Sequence, residues 1–303
     1  MKCHGRCGWS LSAFLALTAP LLGQGTSATF RTSSQMVLVP ITVIDRHGRT
    51  VDGLRKENFT VLEDQTPRQI ISFAGDDAPC SVGIVLDVSG SMRQTLGPAK
   101  AVTRIFLENS NPADEFLLLT VSSQPTEVSG FTSDTAALER AFSSAPSGGR
   151  TALIDTVYLA LSRMRHATRP RRALLILSDG MDNHSRYFKS ELMRAAVEAD
   201  TQIYTIIVDG TPAHTKALQQ IEEHHGRYLL HALSERTGGM NFGVRDSASA
   251  ENAAMKATRA IRSEYVIGYQ PQQSTSSGKW HTVRVKLDVP GTSVYSRGGY
   301  YER

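Results

Sequence analysis

At 303 residues, 40% apolar and 20% charged, the chain is long enough for one large α/β domain with an appendage and too short for two large domains. Its 33 basic and 29 acidic residues leave a formal charge of +4 with no block of like charges. The densest basic string, Arg169-Pro170-Arg171-Arg172, precedes an apolar run and has no interleaved aromatics, so it reads as a solvated loop beside a buried strand and not as a nucleic-acid face.

The first 28 residues read as a targeting segment. Lys2 and Arg6 give a positive start, and Leu11 to Leu22 is an apolar core too short to span a bilayer. Small residues at Gly23, Gly25, Ser27 and Ala28 suit cleavage within 23–28. An uncleaved anchor is the alternative, and Pro20 within the core speaks against it. No other stretch looks transmembrane. Export is therefore expected, with periplasm, cell surface and medium all open as destinations. Cys3 and Cys7 leave with this segment, so Cys80 remains alone and is expected to be a small buried residue. Taking Lys2 and Arg6 from the 33 basic residues leaves 31 against 29 acidic, near +2.

Residues 29–79 read as a β segment and linker. Met36 to Ile44 is a strand, 45–49 a turn, Phe59 to Leu62 a second strand, and 68–73 a third, followed by a linker at 74–79. From 80 to about 270, strands and helices alternate. Strands are expected near 81–87, 115–122, 172–178, 202–208, 240–243 and 265–269. Helices are expected near 98–109, 134–144, 152–166, 188–199, 213–223, 228–237 and 248–263. This alternation predicts a doubly wound α/β domain: a mainly parallel sheet with helices on both faces. The tail, 271–303, alternates over His281 to Leu287 and again over Ser293 to Tyr301, and is expected to add strands at the sheet edge or pair with the N-terminal β segment.

The chemistry concentrates at three places. Asp87-Val88-Ser89-Gly90-Ser91 ends the apolar run from Ser81 to Leu86. Gly148-Gly149-Arg150-Thr151 leads into a helix. Leu174 to Gly180 ends a second apolar strand on Asp179. Ligands of doubly wound sheets sit beyond the carboxyl ends of the strands, where Asp87 and Asp179 both fall. One carboxylate and two hydroxyls on the first loop form an all-oxygen pocket of the kind that Mg²⁺ prefers. Each piece alone has a plainer reading. Ser89 and Ser91 would cap a helix, Thr151 would be an N-cap, and Asp179-Gly180 would be a turn.

Together and in this order, the three segments resemble the metal-ion-dependent adhesion site of von Willebrand factor A domains. The resemblance implies that Asp87, Ser89, Ser91, Thr151 and Asp179 hold Mg²⁺, with Mn²⁺ as a possible substitute. It implies that one aspartate acts through water, and that a partner protein's Glu or Asp completes the coordination sphere. It further implies that helix 248–263, the last of the domain, moves when ligand binds. The flanks resemble a bacterial exported subfamily, in Thr42 to Phe73 and in Ser263 to Tyr301. Arg150 departs from the usual Gly-Gly-Thr run. It faces a ligand carboxylate, repels the cation, or is a surface arginine, the last being preferred.

The expected activity is thus exported, metal-dependent protein binding, without catalytic residues. A phosphatase of the haloacid dehalogenase type needs a D-x-D motif, and Ser89 stands where its second carboxylate would be. No G-x-S-x-G, H-E-x-x-H or phosphate-cradling lysine loop is present. The alternatives are a structural domain with a vestigial site and a metal-dependent hydrolase. Asp182, Asn183 and His184 shape the outer rim of the metal loop or, as preferred, are turn formers, and His224-His225 read as solvated residues at a helix end. Asn58-Phe59-Thr60 and Asn183-His184-Ser185 match the glycosylation triplet, which means little if the source is bacterial, as the resemblance implies.

Overall fold

The computed structural model describes residues 36–75, 77–208, 217–272 and 278–302. The targeting segment and the first residues of the helix expected at 213–223 lie outside these. In chain order the strands are β1 (Val37–Asp45), β2 (Phe59–Glu63), β3 (Thr66–Arg68), β4 (Ile70–Ala74), β5 (Cys80–Asp87), β6 (Glu115–Val121), β7 (Thr126–Thr132), β8 (Arg171–Ser178), β9 (Gln202–Val208), β10 (Asn241–Val244), β11 (Glu264–Tyr269), β12 (Trp280–Leu287), β13 (Thr292–Ser296) and β14 (Gly299–Tyr301). The helices are α1 (Leu96–Glu108), α2 (Thr135–Ser144), α3 (Leu153–Met164), α4 (Lys189–Glu198), α5 (Ala217–Thr237) and α6 (Ser247–Arg262). None of them is long and apolar enough to cross a membrane, among the described residues.

Strands β5 and β8 are apolar through their middles, 82–86 and 173–177, because both their faces are covered, and every residue of β5 is buried. They form the centre of a six-stranded sheet in the order β10-β9-β8-β5-β6-β7, parallel except for β7. Val82, Ile84 and Leu86 face one way, onto Val102 and Phe106 of α1 and Ala253, Ala254 and Ala257 of α6. Val85, Leu174 and Ile176 face the other way, onto Val157 and Leu161 of α3, Leu192 of α4 and Leu230 and Leu233 of α5. The doubly wound architecture expected from the sequence is present. The chain runs outward from β5 through β6 to β7, then returns to the other side of β5 and runs through β8 to β10. The order therefore reverses between β5 and β8, the position at which such sheets open a crevice for ligand.

Two antiparallel sheets carry the flanks, in the orders β13-β1-β11-β4 and β14-β12-β2-β3. Val39, Ile41, Val43, Phe59, Val61, Ile267, Tyr269, Val283 and Val285 close the core between them. Of the two placements expected for the tail, pairing with the N-terminal strands is the one adopted. β12 lies along β2 and β13 along β1.

Four expectations change. The strand at 265–269 leaves the parallel sheet and pairs antiparallel with β1 and β4, because Tyr265, Ile267 and Tyr269 alternate toward the flanking core. The strand expected at 68–73 is two strands in two different sheets, β3 and β4, divided at Gln69. The two helices expected at 213–223 and 228–237 are one helix, α5, continuous through Gly226. Arg171 is buried, not solvated: its guanidinium pairs with Glu264 at 2.8 Å. Strand β7 was not expected, since its Thr126–Thr132 segment is largely solvated and carries Ser129 and Gly130 as an edge strand can.

The flanking sheets join the domain at the foot of its strands. Thr42 lies 3.3 Å from the Tyr204 hydroxyl, Arg171 at the start of β8 meets Glu264 at the start of β11, and Arg297 pairs with Asp200 at 2.7 Å just before β9. Cys80 is buried at the same level, and burial there pushes its thiol well above its ordinary pKa.

Candidate metal centre

Asp87 is the last residue of β5 and is fully buried. Its carboxylate accepts the Ser89 N–H at 2.9 Å through Oδ1 and the Ser178 hydroxyl at 2.6 Å through Oδ2. Parallel pairing of Leu86 with Leu177 is what brings Ser178 alongside. The Ser89 and Ser91 hydroxyls are 3.1 Å apart. Asp179 follows β8, and its carboxylate accepts the Met181 N–H at 2.9 Å and is hydrogen-bonded by Ser91. Asp87, Ser89, Ser91 and Asp179 thus form one cluster at the crevice between β5 and β8.

The second loop is laced to the first through its backbone. Gly90 N–H donates to the Gly149 carbonyl at 3.0 Å, and Gly148 N–H to the Val88 carbonyl at 2.8 Å. Gly149 has φ +82°, and a Cβ there would lie 2.6 Å from the Ser123 hydroxyl. The glycine is required twice over. This brings buried Thr151 to the same end of the sheet. The side chain of Arg150 is exposed, and its N–H donates to Ser123.

Thr151 does not cap α3. The N-cap is Ala152, which has no capping side chain. The loop after Asp179 does that work from outside. Asp182 Oδ1 accepts the Ile154 N–H at 3.2 Å, Ser185 Oγ the Asp155 N–H at 3.1 Å, and Asn183 Oδ1 the Thr151 N–H at 3.0 Å. The Thr151 carbonyl accepts both the Asn183 and His184 N–H groups at 3.0 Å. Asp155 reciprocates by accepting the Arg186 and Tyr187 N–H groups at 2.8 and 3.0 Å. Asp182 and Asn183 therefore join the second loop to the third, beyond the role of turn formers. Ser178 and Asp155 escape sequence reading altogether; the only available signal was a serine just before the strand-end aspartate.

Helix α5 presses on the third loop. A Cβ on Gly226 would lie 1.5 Å from the Gly180 carbonyl oxygen, so the two backbones touch. Gly226 is thereby explained as a packing glycine inside a helix. It also brings Arg227 close enough for its charge to lower the Asp179 pKa. His224 and His225 are exposed.

Burial pushes the Asp87 carboxyl up to about 7, with the neighbouring Asp179 charge adding to the rise. Burial likewise raises Asp179. Two desolvated carboxylates and a ring of hydroxyls form an oxygen-only site with excess negative charge, and a hard divalent cation fits it. Among the described residues no group of three or more His, Cys, Asp or Glu gathers around a metal position, so neutral hydroxyls and water would supply the rest of the shell.

Residues 82–181, from β5 to the loop after β8, match the family model of the von Willebrand factor type A domain. That segment of the doubly wound domain is therefore similar to a von Willebrand factor type A domain. An uncharacterized protein of Borreliella burgdorferi is 24% identical over 115 residues, which is 35% of this chain and 34% of that protein. The match thus spans about a third of that relative's length. Among solved structures, a von Willebrand factor type A protein from Catenulispora acidiphila is similar with a TM-score of 0.49 at 16% identity, over 90% of this chain and 75% of that one. Proximal thread matrix protein 1 from the mussel byssus, described with a zinc-occupied adhesion motif, gives 0.48 at 14%, over 67% and 50%. The PilB minor pilin from Streptococcus sanguinis gives 0.47 at 12%, over 61% and 62%.

Proposed function

We propose that this is an exported, divalent-cation-dependent protein-binding module. Asp87, Ser89, Ser91, Thr151 and Asp179 hold Mg²⁺, or Mn²⁺ in its place, and a Glu or Asp of a partner protein completes the shell. The observation that carries the reading is the pairing of the buried Asp87 carboxylate with the half-buried Asp179 within a cluster of hydroxyls at the topological switch point. Two carboxylates just neutralise a divalent cation, and with neutral hydroxyls and water as its other ligands the ion stays electrophilic enough to take an incoming carboxylate. This chain's own residues orient that metal. Ser178 and the Ser89 N–H fix Asp87, the Met181 N–H fixes Asp179, and Asn183 fixes the Thr151 peptide. Binding, not catalysis, is the proposed activity. The proposed boundaries are a targeting segment at 1–28, a β segment and linker at 29–79, the metal-binding domain at 80–270 and a β segment at 271–303.

A second reading rests on Arg227. Its charge already acts on Asp179, and a resident guanidinium could stand in for the metal and leave a purely structural domain. Calorimetric titration with Mg²⁺ and Mn²⁺, with and without acetate, separates the two. Saturable binding that Asp179→Ala abolishes supports the first. Silence with both metals, acetate present, leaves the second.

A further inference from the structure

We infer that the site reads more than a carboxylate: Tyr158, Tyr187 and Phe188 form an aromatic shelf beside it. They would receive an aromatic or large apolar side chain of an extended acidic peptide. The inference rests on the metal-binding reading above and names the chemistry of its partner.

The shelf is held in place, not merely left exposed. The Tyr158 and Tyr187 rings stack with centroids 4.3 Å apart and planes 11° apart. The Arg186 and Tyr187 N–H groups are gripped by the buried Asp155 carboxylate, and the Phe188 N–H by Glu191 at 2.8 Å. Tyr187 is nonetheless 44% exposed and Phe188 74% exposed. Exposed aromatics on a fixed backbone, one of them with its ring stacked, lose less freedom on binding than residues of a free loop, and large aromatics dominate interface energies.

Position and charge name the occupant. Asp155 stands one helical turn past Thr151 and Tyr158 nearly one turn further, so the shelf lies about 10 Å from the metal position at 1.5 Å per residue. An extended peptide covers that distance in about three residues. Arg186 and Lys189 adjoin the shelf in sequence and are exposed, and Arg150 is exposed beside Thr151 on the second loop. The acidic groups among them are engaged, Asp155 and Glu191 by backbone N–H groups, with the Arg186 Nε 4.0 Å from Asp155. The three cations outnumber the two carboxylates, and these exposed cations suit a partner whose carboxylate comes with further acidic residues.

A displayed library of random linear peptides, panned on the purified protein in Mg²⁺ and in chelator, tests this. The expected Mg²⁺-dependent survivors carry Asp or Glu with an aromatic or large apolar residue about three positions away. A selected peptide should bind the Tyr187→Ser/Phe188→Ser variant at least tenfold more weakly. That variant should still load Mg²⁺, since both side chains are exposed and outside the metal cluster. Survivors with an acid and no apolar preference, or unchanged affinity in the variant, would overturn the shelf while leaving the metal reading intact. No Mg²⁺-dependent acidic survivors on the wild type would overturn both. Self-association lost with Phe188→Ser, or Mg²⁺-independent sedimentation with anionic vesicles lost with the same change, would assign the shelf to another occupant and overturn the inference.

Discussion

Replacing Arg171 by Met should destabilise the protein by about 3–6 kcal/mol at pH 7, at or slightly above the range for breaking a buried ion pair. The Arg171 guanidinium donates to Glu264 at 2.8 Å, to the Ala78 and Arg262 carbonyls at 3.2 Å, and to the Ile261 carbonyl. Met fills the space of the stem and strands a carboxylate with 7% exposure. In the native protein burial raises the Glu264 pKa, and the charge and hydrogen bond of Arg171 pull it back. Without Arg171 the carboxyl escapes its penalty by taking up a proton. From its ordinary value of 4.5, protonation at pH 7 costs about 3.4 kcal/mol at 1.36 kcal/mol per unit. The three orphaned carbonyls add to this, about 1 kcal/mol each where water cannot reach. The sign follows from the raised pKa. The folded variant holds more protons than the unfolded chain, so its stability is greatest below about pH 4.5 and is lost as pH rises toward the folded pKa. The ionic part of the loss should therefore shrink to about 0.7 kcal/mol at pH 5. Urea unfolding of wild type, Arg171→Met and Arg171→Met/Glu264→Gln at both pH values measures it. A loss equal at pH 5 and pH 7, or a double variant no more stable than the single one at pH 7, would refute the reasoning.

Other expectations follow from the same contacts. Asn183→Ala should weaken Mg²⁺ binding about tenfold and cost about 1–3 kcal/mol by freeing the Thr151 N–H, with Asn183→Asp restoring both in calorimetry and unfolding. Gly226→Ala drives a methyl into the Gly180 carbonyl and should cost at least about 3 kcal/mol; a loss below about 1 kcal/mol would mean α5 is free to shift. Mg²⁺ at a hundred times its dissociation constant should add about 2.7 kcal/mol of stability, removed by chelator and absent in Asp87→Asn, as thermal melts would show. The last-helix movement implied by family likeness meets a clamp. Arg171 holds the Ile261 and Arg262 carbonyls, and Arg262 itself pairs with Asp77. Hydrogen exchange over 247–262 should stay the same when Mg²⁺ and acetate are added, and a change there would restore the coupling.

The doubly wound sheet was legible because its central strands are covered on both faces and so read as unbroken apolar runs. The first and third loops of the site were legible for a related reason, since each begins where such a run ends on an aspartate. What escaped depends on contacts between distant segments. Gly226 reads as a helix breaker in isolation, and only the Gly180 backbone against it explains why the helix continues. Arg171 reads as one of several loop cations, and only Glu264, 93 residues later, makes it a buried one. Asp155, Ser178, Asp182 and Asn183 are ordinary polar residues in sequence. Their work is to satisfy backbone groups that no local pattern exposes, such as the uncapped head of α3. Strand β11 matched the strand pattern correctly, yet its partner sheet was not deducible, because alternation gives a buried face and not the identity of what buries it.

The placement of these contacts separates the molecule into two ends with different tasks. Every named tie between the domain and the flanking sheets lies at the amino ends of the parallel strands: Thr42 with Tyr204, Arg171 with Glu264, Arg297 with Asp200. Every residue of the candidate site lies at the carboxyl ends, on the loops after β5 and β8 and ahead of α3. Strand β8 connects the two, carrying Arg171 at its foot and delivering Ser178 and Asp179 at its head. It is buried between the helices of both faces and paired on both sides along its length. If the site binds ligand as proposed, the flanks would act on that binding through the stability of the sheet and not through contact with the ligand. A substitution in their core such as Val61→Ala should lower the unfolding free energy by about 1–3 kcal/mol, as loss of buried methyl groups does, while leaving Mg²⁺ affinity within twofold. Proportionate loss of affinity in the still-folded variant would show that the two ends are not independent.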